Sequence, residues 1–450
     1  ASWPGDPMLN DSSIVVAGDV HRASFEQGLR RALELNPLFR CRLDWPKGGV
    51  PSWVLDDPGR IQLFWDEPTA PACWNDDFEL SDAPGLRIWR KPLPDGRSCL
   101  WLRYHHAISD GLGICRFWGD LFEEYSRLRS PAGAARATWS DPELERLKLR
   151  GSVAPKLSKL QRVRAAWEMW RTSRKAVTPL AIPSDRRPKP WQPGEMAGDI
   201  IPSALFAKLR ARAEARDVTF NDLMLATLFM TLAAWNQRHG QPRPSDNLRV
   251  MIPTSTRDKR HARMPAANCI GFATLDRSPQ DCADEDALLS GLARETRSIL
   301  RRELGVSFVD LLTFQWKLAR LRGKFARYKR RRRSSRCLTT ATLSYVGDLE
   351  RVMPRGRPRD EHGNHVCGDL SLLTPAGYAP RQDNTRVALA GHYYNGDLIL
   401  SLAADPTTFD YDHAMDFLKL FRTLLVADVA VDPITSHTKH SGHMESTAHE

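Results

Sequence analysis

Two adjacent histidines, His105 and His106, are followed by Asp110 and Gly111 in the run WLRYHHAISDGLG (101–113). These are the residues of the chain best equipped for chemistry. A neutral imidazole can take a proton from a substrate near neutral pH and return it later, which is general acid–base work. Adjacent residues of a strand point to opposite faces, so the two rings cannot share one role. One faces the core or a neighbouring strand, and the other faces a cavity. Asp110 is close enough to brace the turn that presents them. Gly111 permits a tight backbone path where a Cβ would clash. The plainer alternative is a pair of hydrogen-bonded core histidines beside a helix cap, a reading that suits a lone histidine better than this four-residue pattern.

The elements that must position these residues are legible around them. SCLWLRYHH (98–106) reads as a strand, and GLRIWRKPL (85–93) alternates like a half-buried one. Pro94-Asp95-Gly96 between them predicts a hairpin. After Asp110, the apolar residues Ile114, Phe117, Leu121, Phe122 and Tyr125 recur at helical spacing, with Ser109 or Asp110 as N-cap. Upstream, SIVVAGDV (13–20) predicts a strand, and a helix over 23–35 ends at Pro37. LFRCRLDW (38–45) alternates like a strand. In the second half, a short strand and an amphipathic helix precede TFNDLMLATLFMTLAAWNQRHG (219–240), a helix apolar on nearly every side and therefore buried. Strands are expected within 247–255, 268–275, 337–347, 385–396 and 397–405, two helices over 284–320, and a closing helix over 410–427.

The segment 130–195 is basic and weakly helical, then proline-rich from 178 onward. The expected organisation is an N-terminal unit 1–177, a crossover 178–198, a C-terminal unit 199–430 and a polar tail 431–450. Both halves mix sheet and helix, so the fold class is α/β (α+β). Mixed sheets carry flanking helices, with a ligand channel at the interface between the units.

Composition narrows the function classes. The chain has 450 residues, 42% hydrophobic and 26% charged, and its longest apolar stretch (223–235) is shorter than the roughly 20 residues of a membrane span. The opening ASWPGDPMLNDSS shows neither the basic start nor the apolar run of a secretory signal. Eight cysteines are scattered without a CxxC pair, which predicts neither a metal site nor a disulfide scaffold and fits a cytoplasmic protein. A net charge of +11 favours anionic partners. Eight lysines and arginines crowd into GKFARYKRRRRSSR (323–336), among them Arg330, Arg331, Arg332 and Arg333. That run reads either as a solvated loop or as a docking surface for coenzyme A phosphates, an acidic carrier protein or an anionic membrane surface. One basic loop without regularly placed aromatics is poor ground for a nucleic-acid partner. There is no GxSxG for a serine hydrolase and no glycine-rich phosphate loop.

HHAISDG resembles the HHxxxDG motif of the acyltransferase superfamily built from two chloramphenicol-acetyltransferase-like domains. That superfamily includes nonribosomal peptide condensation domains, alcohol acetyltransferases and the wax ester synthase/diacylglycerol acyltransferases. NPLFRCRL, PGLRIW, IPTSTR and ANCIGF resemble further segments of these proteins, and Asn221 and Asp222 resemble the asparagine-aspartate helix start of the wax ester branch. The chain lacks the DFGWG of plant members, and its LSYVGDL (343–349) lacks the asparagine-proline-glycine of typical wax ester synthases. The resemblance implies acyl transfer from an acyl-CoA or acyl-carrier thioester, used as donor substrate rather than bound cofactor, to a hydroxyl or amine. His106 would be the general base. Asp110 would hold the loop through an arginine, with Arg257 as partner. The start of the helix at Gly111 or the hydroxyl of Ser344 would stabilise the oxyanion.

Overall fold

The computed structural model describes residues 8–46, 50–66, 79–131, 139–151, scattered positions from 158 to 171, 174–185, 191, 197–322, 337–381 and 384–429. Its first half runs β1 (Leu9–Ala17), α1 (Arg22–Leu35), β2 (Cys41–Asp44), β3 (Ser52–Leu55), β4 (Gln62–Trp65), β5 (Leu86–Pro92), β6 (Ser98–His105) and α2 (Gly111–Arg129). The second begins with β7 (Ala197–Ile201), α3 (Ser203–Ala215), α4 (Phe220–His239), β8 (Leu248–Ser255), β9 (Ile270–Arg277), α5 (Glu285–Arg301) and α6 (Leu304–Leu321). It continues with β10 (Ala341–Asp348), β11 (His365–Cys367), β12 (Leu370–Tyr378), β13 (Val387–Tyr394), β14 (Asp397–Ala404) and α7 (Tyr411–Val426).

These strands form two mixed six-stranded sheets, ordered β11-β12-β1-β6-β5-β4 and β7-β14-β13-β10-β8-β9, with a small β2-β3 ribbon. The β5–β6 hairpin closes where the Pro-Asp-Gly turn predicts, with Pro92 opposite Ser98. Strand β1 begins at Leu9, earlier than its apolar run suggests, and lies antiparallel between β6 and β12. Strand β12 comes from the second half of the sequence, within 199–430, yet it pairs in the first sheet, Asp11 opposite Tyr378. Pro375 and Gly377 interrupt its apolar pattern, which is why its sequence does not read as a strand.

Each half has its own core. Phe25, Leu29, Phe39, Ile88, Leu102, Phe117 and Leu121 bury the α1 and α2 side of the first sheet. In the second, α4 is the central helix. Thr219 and Asp222 cap it reciprocally, and Leu225, Leu228, Phe229 and Leu232 pack with Val250, Leu343 and Leu389. No single helix among the described residues is long and apolar enough to cross a membrane.

The alternation of the second sheet builds the cavity. Val250, Ile252, Leu343 and Leu389 face α4, so their neighbours Met251, Pro253, Ser344 and Ala390 face the other way and line a cavity of about 300 Å³. Opposite them lie Asn10, Ser12 and Ile14 of β1, residues of α2 and parts of β12. The proline-rich stretch 186–190 and 192–196, the basic run 323–336 with Arg330, Arg331, Arg332 and Arg333, and the tail from 430 on lie outside the described residues.

Candidate active site

His105 ends β6 and His106 begins the turn that follows, and of the two only His106 borders the cavity. His106 lines the cavity. Its backbone is held from both halves: its N–H donates to the Met8 carbonyl at 2.6 Å, and its carbonyl accepts from Asn268 Nδ2 at 2.7 Å. His105 packs against Gly85, whose carbonyl accepts the His105 N–H at 2.9 Å. A Cβ on Gly85 would come within 3.0 Å of the His105 Cβ. His105 Nδ1 accepts the Ala107 N–H, while Nε2 is buried without a partner, and burial pushes this imidazole down to about 3.

The His106 ring is oriented by its Nδ1, which lies 2.9 Å from the Ser109 carbonyl and 2.8 Å from Asn10 Nδ2. A carbonyl accepts only, so Nδ1 carries the hydrogen and Nε2 keeps the lone pair. Asn10 Oδ1 is buried without a partner; turning the amide over places it on Nδ1–H as a second acceptor at no change in shape. Burial lowers the His106 pKa, opposed by the Ser109 carbonyl and the Asp110 charge, so the ring is neutral and basic at Nε2 at neutral pH.

Asp110 is 2% exposed and accepts four hydrogen bonds. Arg257 Nη1 and Nη2 reach its two oxygens at 2.7 and 2.9 Å, Cys269 N–H at 2.8 Å and Gly113 N–H at 2.9 Å. It therefore caps α2 and joins β6–α2 to the loop between β8 and β9. Burial works against the Arg257 charge, but the paired carboxylate outweighs it and raises the Arg257 pKa. The tight approach expected at Gly111 falls instead two residues later. A Cβ at Gly111 would meet Val346 Cγ2 at 3.4 Å, an ordinary contact, whereas one at Gly113 would come within 2.4 Å of Ser109 Oγ and 2.9 Å of the Ala267 carbonyl.

Gly111, Ser344 and Arg257 border the same cavity as His106 and Asp110. Asn221 and Asp222 do not. Asp222 is 1% exposed and accepts from Thr219 and from Thr296 Oγ1 at 2.7 Å, a helix-capping role away from the cavity. Cys115 also lines the cavity, but burial pushes its thiol up to about 12, so it offers no thiolate nucleophile at neutral pH. Among the described residues no group of three or more histidine, cysteine or carboxylate side chains is placed to hold a metal ion.

Sequence reasoning missed Asn10, Thr342 and His392. Asn10 lies in the polar run LNDSS, which offers no hydropathy signal for a buried strand. His392 sits in AGHYYNG, where a single histidine in a strand has no spacing partner. What identifies them is the fold, which brings β1 beside β6 and β13 beside β10.

No protein-family model matches the sequence, and no curated protein matches it. Solved structures do resemble it. The starter condensation domain of rhizomide synthetase in complex with C8-CoA aligns at a TM-score of 0.63 and 15% identity, covering 93% of this chain and 89% of that one. The first condensation domain of the calcium-dependent antibiotic synthetase, with a substrate analogue, gives 0.62 and 14%, covering 93% and 90%. The trichothecene 15-O-acetyltransferase from Fusarium sporotrichioides gives 0.64 and 12%, covering 94% and 91%. The chain thus has the two-sheet, pseudo-two-domain fold of condensation domains and this acetyltransferase.

Proposed function

We propose that the protein is an acyltransferase that moves an acyl group from a thioester, acyl-CoA or acyl-carrier, to a hydroxyl or amine, with His106 as general base. The observation that carries this reading is the His106 ring, anchored at Nδ1 by the Ser109 carbonyl and neutral in a cavity wall, with Nε2 left to accept a proton. Nε2 takes the proton of the acceptor as its oxygen or nitrogen attacks the thioester carbonyl. The tetrahedral intermediate collapses with cleavage of the carbon–sulfur bond, and His106 returns the proton to the departing thiolate. The first amides of α2, at Gly111 and Leu112, and the Ser344 hydroxyl border the cavity and are the donors for the oxyanion. A thioester is reactive enough to need no covalent enzyme intermediate, in keeping with the protonated Cys115. The neighbours' names support the reading, since one was captured with C8-CoA and another is an O-acetyltransferase.

The amide-forming variant, in which the acceptor is an amine as in a condensation domain, uses the same atoms. Thioesters of several chain lengths, incubated with alcohols and amines while free thiol is followed, test the proposal and separate ester from amide formation. His106→Ala should lower turnover by about 10²- to 10⁴-fold in a folded protein. Full turnover in that variant would overturn the assignment.

A further inference from the structure

The backbone supplies no reason for a glycine at position 377. Gly377 lies inside β12 without the positive φ of Gly96 or Gly356, and a Cβ built on it would meet no atom within 4 Å. The sheet shows where that Cβ would point. Across β1–β12, Gly377 stands opposite Ser12 and Pro375 opposite Ile14, and directly opposed residues of an antiparallel pair share a face. The Ser12 hydroxyl accepts from Trp118 Nε1 at 2.9 Å, so this is the face turned toward α2. Gly377, Ser12, Ile14 and Trp118 all line the cavity. The open space beside Gly377 is therefore cavity. A glycine inside a strand costs stability, and it leaves room for another molecule to approach the backbone closely.

The cavity changes character along α2. At its His106 end, Ser255 is exposed, and Gly111, Arg257 and Ile270 are half-buried. Toward the other end, Ile14, Trp118, Phe122 and Leu372 are buried and apolar. Arg357 also borders that end, but its guanidinium is turned to Glu123 and Cys367 Sγ and its side chain is only 3% exposed. From Gly111 to Phe122, α2 rises by about 16 Å at 1.5 Å per residue. An extended chain advances roughly 1.2 Å per bond, so about a dozen carbons span that wall. We propose that an unbranched alkyl chain of about this length lies over Gly377, its reacting group at His106 and its tail among Trp118, Phe122 and Leu372. The missing side chain at 377 sets the longest chain accepted. The place of the reacting group at His106 rests on the acyl-transfer reading; the path of the chain does not. A straight alkyl chain has the same chemistry in the acyl donor and in the acceptor, and turnover separates the two.

Calorimetric binding of 1-hexanol, 1-octanol, 1-decanol and 1-dodecanol to the full chain tests the channel without any thioester present. In the wild type each further buried methylene should tighten binding by about 4-fold. In Gly377→Leu the gain should stop about three carbons earlier, leaving 1-hexanol bound as before and 1-dodecanol at least about 10-fold weaker. This variant should unfold in urea no earlier than the wild type, because its side chain enters open space. If it does unfold earlier, Gly377→Ala, which adds a single methyl group, should still move the limit by about one carbon. Thiol release is then followed in two series, acyl thioesters of the same lengths with a short acceptor, and an acetyl thioester with the four alcohols. Gly377→Leu should shorten the preferred chain in the first series if the chain belongs to the donor, and in the second if it belongs to the acceptor. Wild-type binding that does not tighten with length, or a length profile that Gly377→Leu and Gly377→Ala leave unmoved, would overturn the proposal. So would a loss equal at every length, or a shift in neither series while thioesters are turned over. If no thioester is turned over but the length limit appears and moves with residue 377, the acyl-transfer reading fails and the alkyl channel stands.

Discussion

Replacing Asp110 by alanine removes more than one side chain's contacts, because that carboxylate joins the two halves of the molecule. It accepts two charged hydrogen bonds from Arg257, one from the Cys269 amide and one from the Gly113 amide. Losing one member of a buried ion pair costs about 3–5 kcal/mol, because the other charge is left uncompensated. Arg257 keeps the Ala267 carbonyl at 2.9 Å, and its side chain is 19% exposed, so water screens part of the orphaned charge. The low end of that range applies to the pair, about 3 kcal/mol, and loss of the helix cap adds about 1 kcal/mol. Asp110→Ala should therefore lose about 4 kcal/mol in urea unfolding, a large share of the roughly 5–15 kcal/mol that holds most proteins folded. Asp110→Asn keeps an oxygen for the cap and should lose about 2 kcal/mol. Arg257→Met alone should cost about 3 kcal/mol, and in the double variant Asp110→Ala/Arg257→Met the losses should fall short of additivity by at least about 1.5 kcal/mol. Turnover per folded molecule is measured beside unfolding, by thiol release. Additive losses, or an Asp110→Asn protein that loses turnover with unchanged unfolding and an unchanged pH profile, would refute the clamp and place Asp110 in the chemistry.

Asn10→Asp should move the acid limb of the kcat/KM profile to higher pH, because a carboxylate beside Nδ1 favours imidazolium, and Asn10→Ala should move it lower; a profile unmoved by both would remove Asn10 from the site. His105, His365 and His392 are pushed by burial to about 3, 4 and 4, below the 6.5 of the unfolded chain. Their contribution to stability is complete above pH 6.5 and is lost as the pH falls toward 4, because only the unfolded state takes up protons in that window. Each contributes up to about 1.4 kcal/mol per pH unit, so urea unfolding at pH 7, 6 and 5 should give a shallower decline for His392→Phe than for the wild type, and equal slopes would count against the assignment. Replacing Arg330, Arg331, Arg332 and Arg333 with serine should raise the donor KM, or release the protein from anionic vesicles, with kcat nearly unchanged and a weaker response to salt. Identical donor kinetics, vesicle binding and salt response would leave the run a solvated loop.

What the sequence reveals here follows from where each residue's partners lie. The β5–β6 hairpin and α2 are legible because their signals are local: a Pro-Asp-Gly turn, an alternating strand on each side, and an aspartate at the N-cap followed by an apolar stripe. The first polar residues of β1 are illegible because what satisfies them is distant. Asp11 is paired with Arg103 and Trp101, and Ser12 Oγ accepts from Trp118 Nε1. Read locally, LNDSS is a loop; with those partners it is an interior strand. Strand β12 fails for the complementary reason, because Pro375 and Gly377 carry no strand preference and its place is fixed by pairing with β1. The pair at Asp110 and Arg257 came from the family resemblance rather than from any local pattern, and Thr342 and His392 have neither a motif nor a neighbour in sequence to mark them.

The pairing of β1 with β12 also bears on how this protein comes into being. A chain emerging at about 5–20 residues per second leaves β1 waiting roughly 20–70 s before residues 370–378 follow it out. Until then one edge of the first sheet has no partner, and an open edge is a template for pairing with other chains. Long-range pairing of this kind also slows folding, since the loop must close before the contact forms. Expressed alone, residues 1–177 would keep that edge open permanently, and the fragment should associate with itself where the whole chain does not. The histidine site thus becomes complete only late in synthesis, because the wall that β12 gives the cavity arrives after most of the chain has been made.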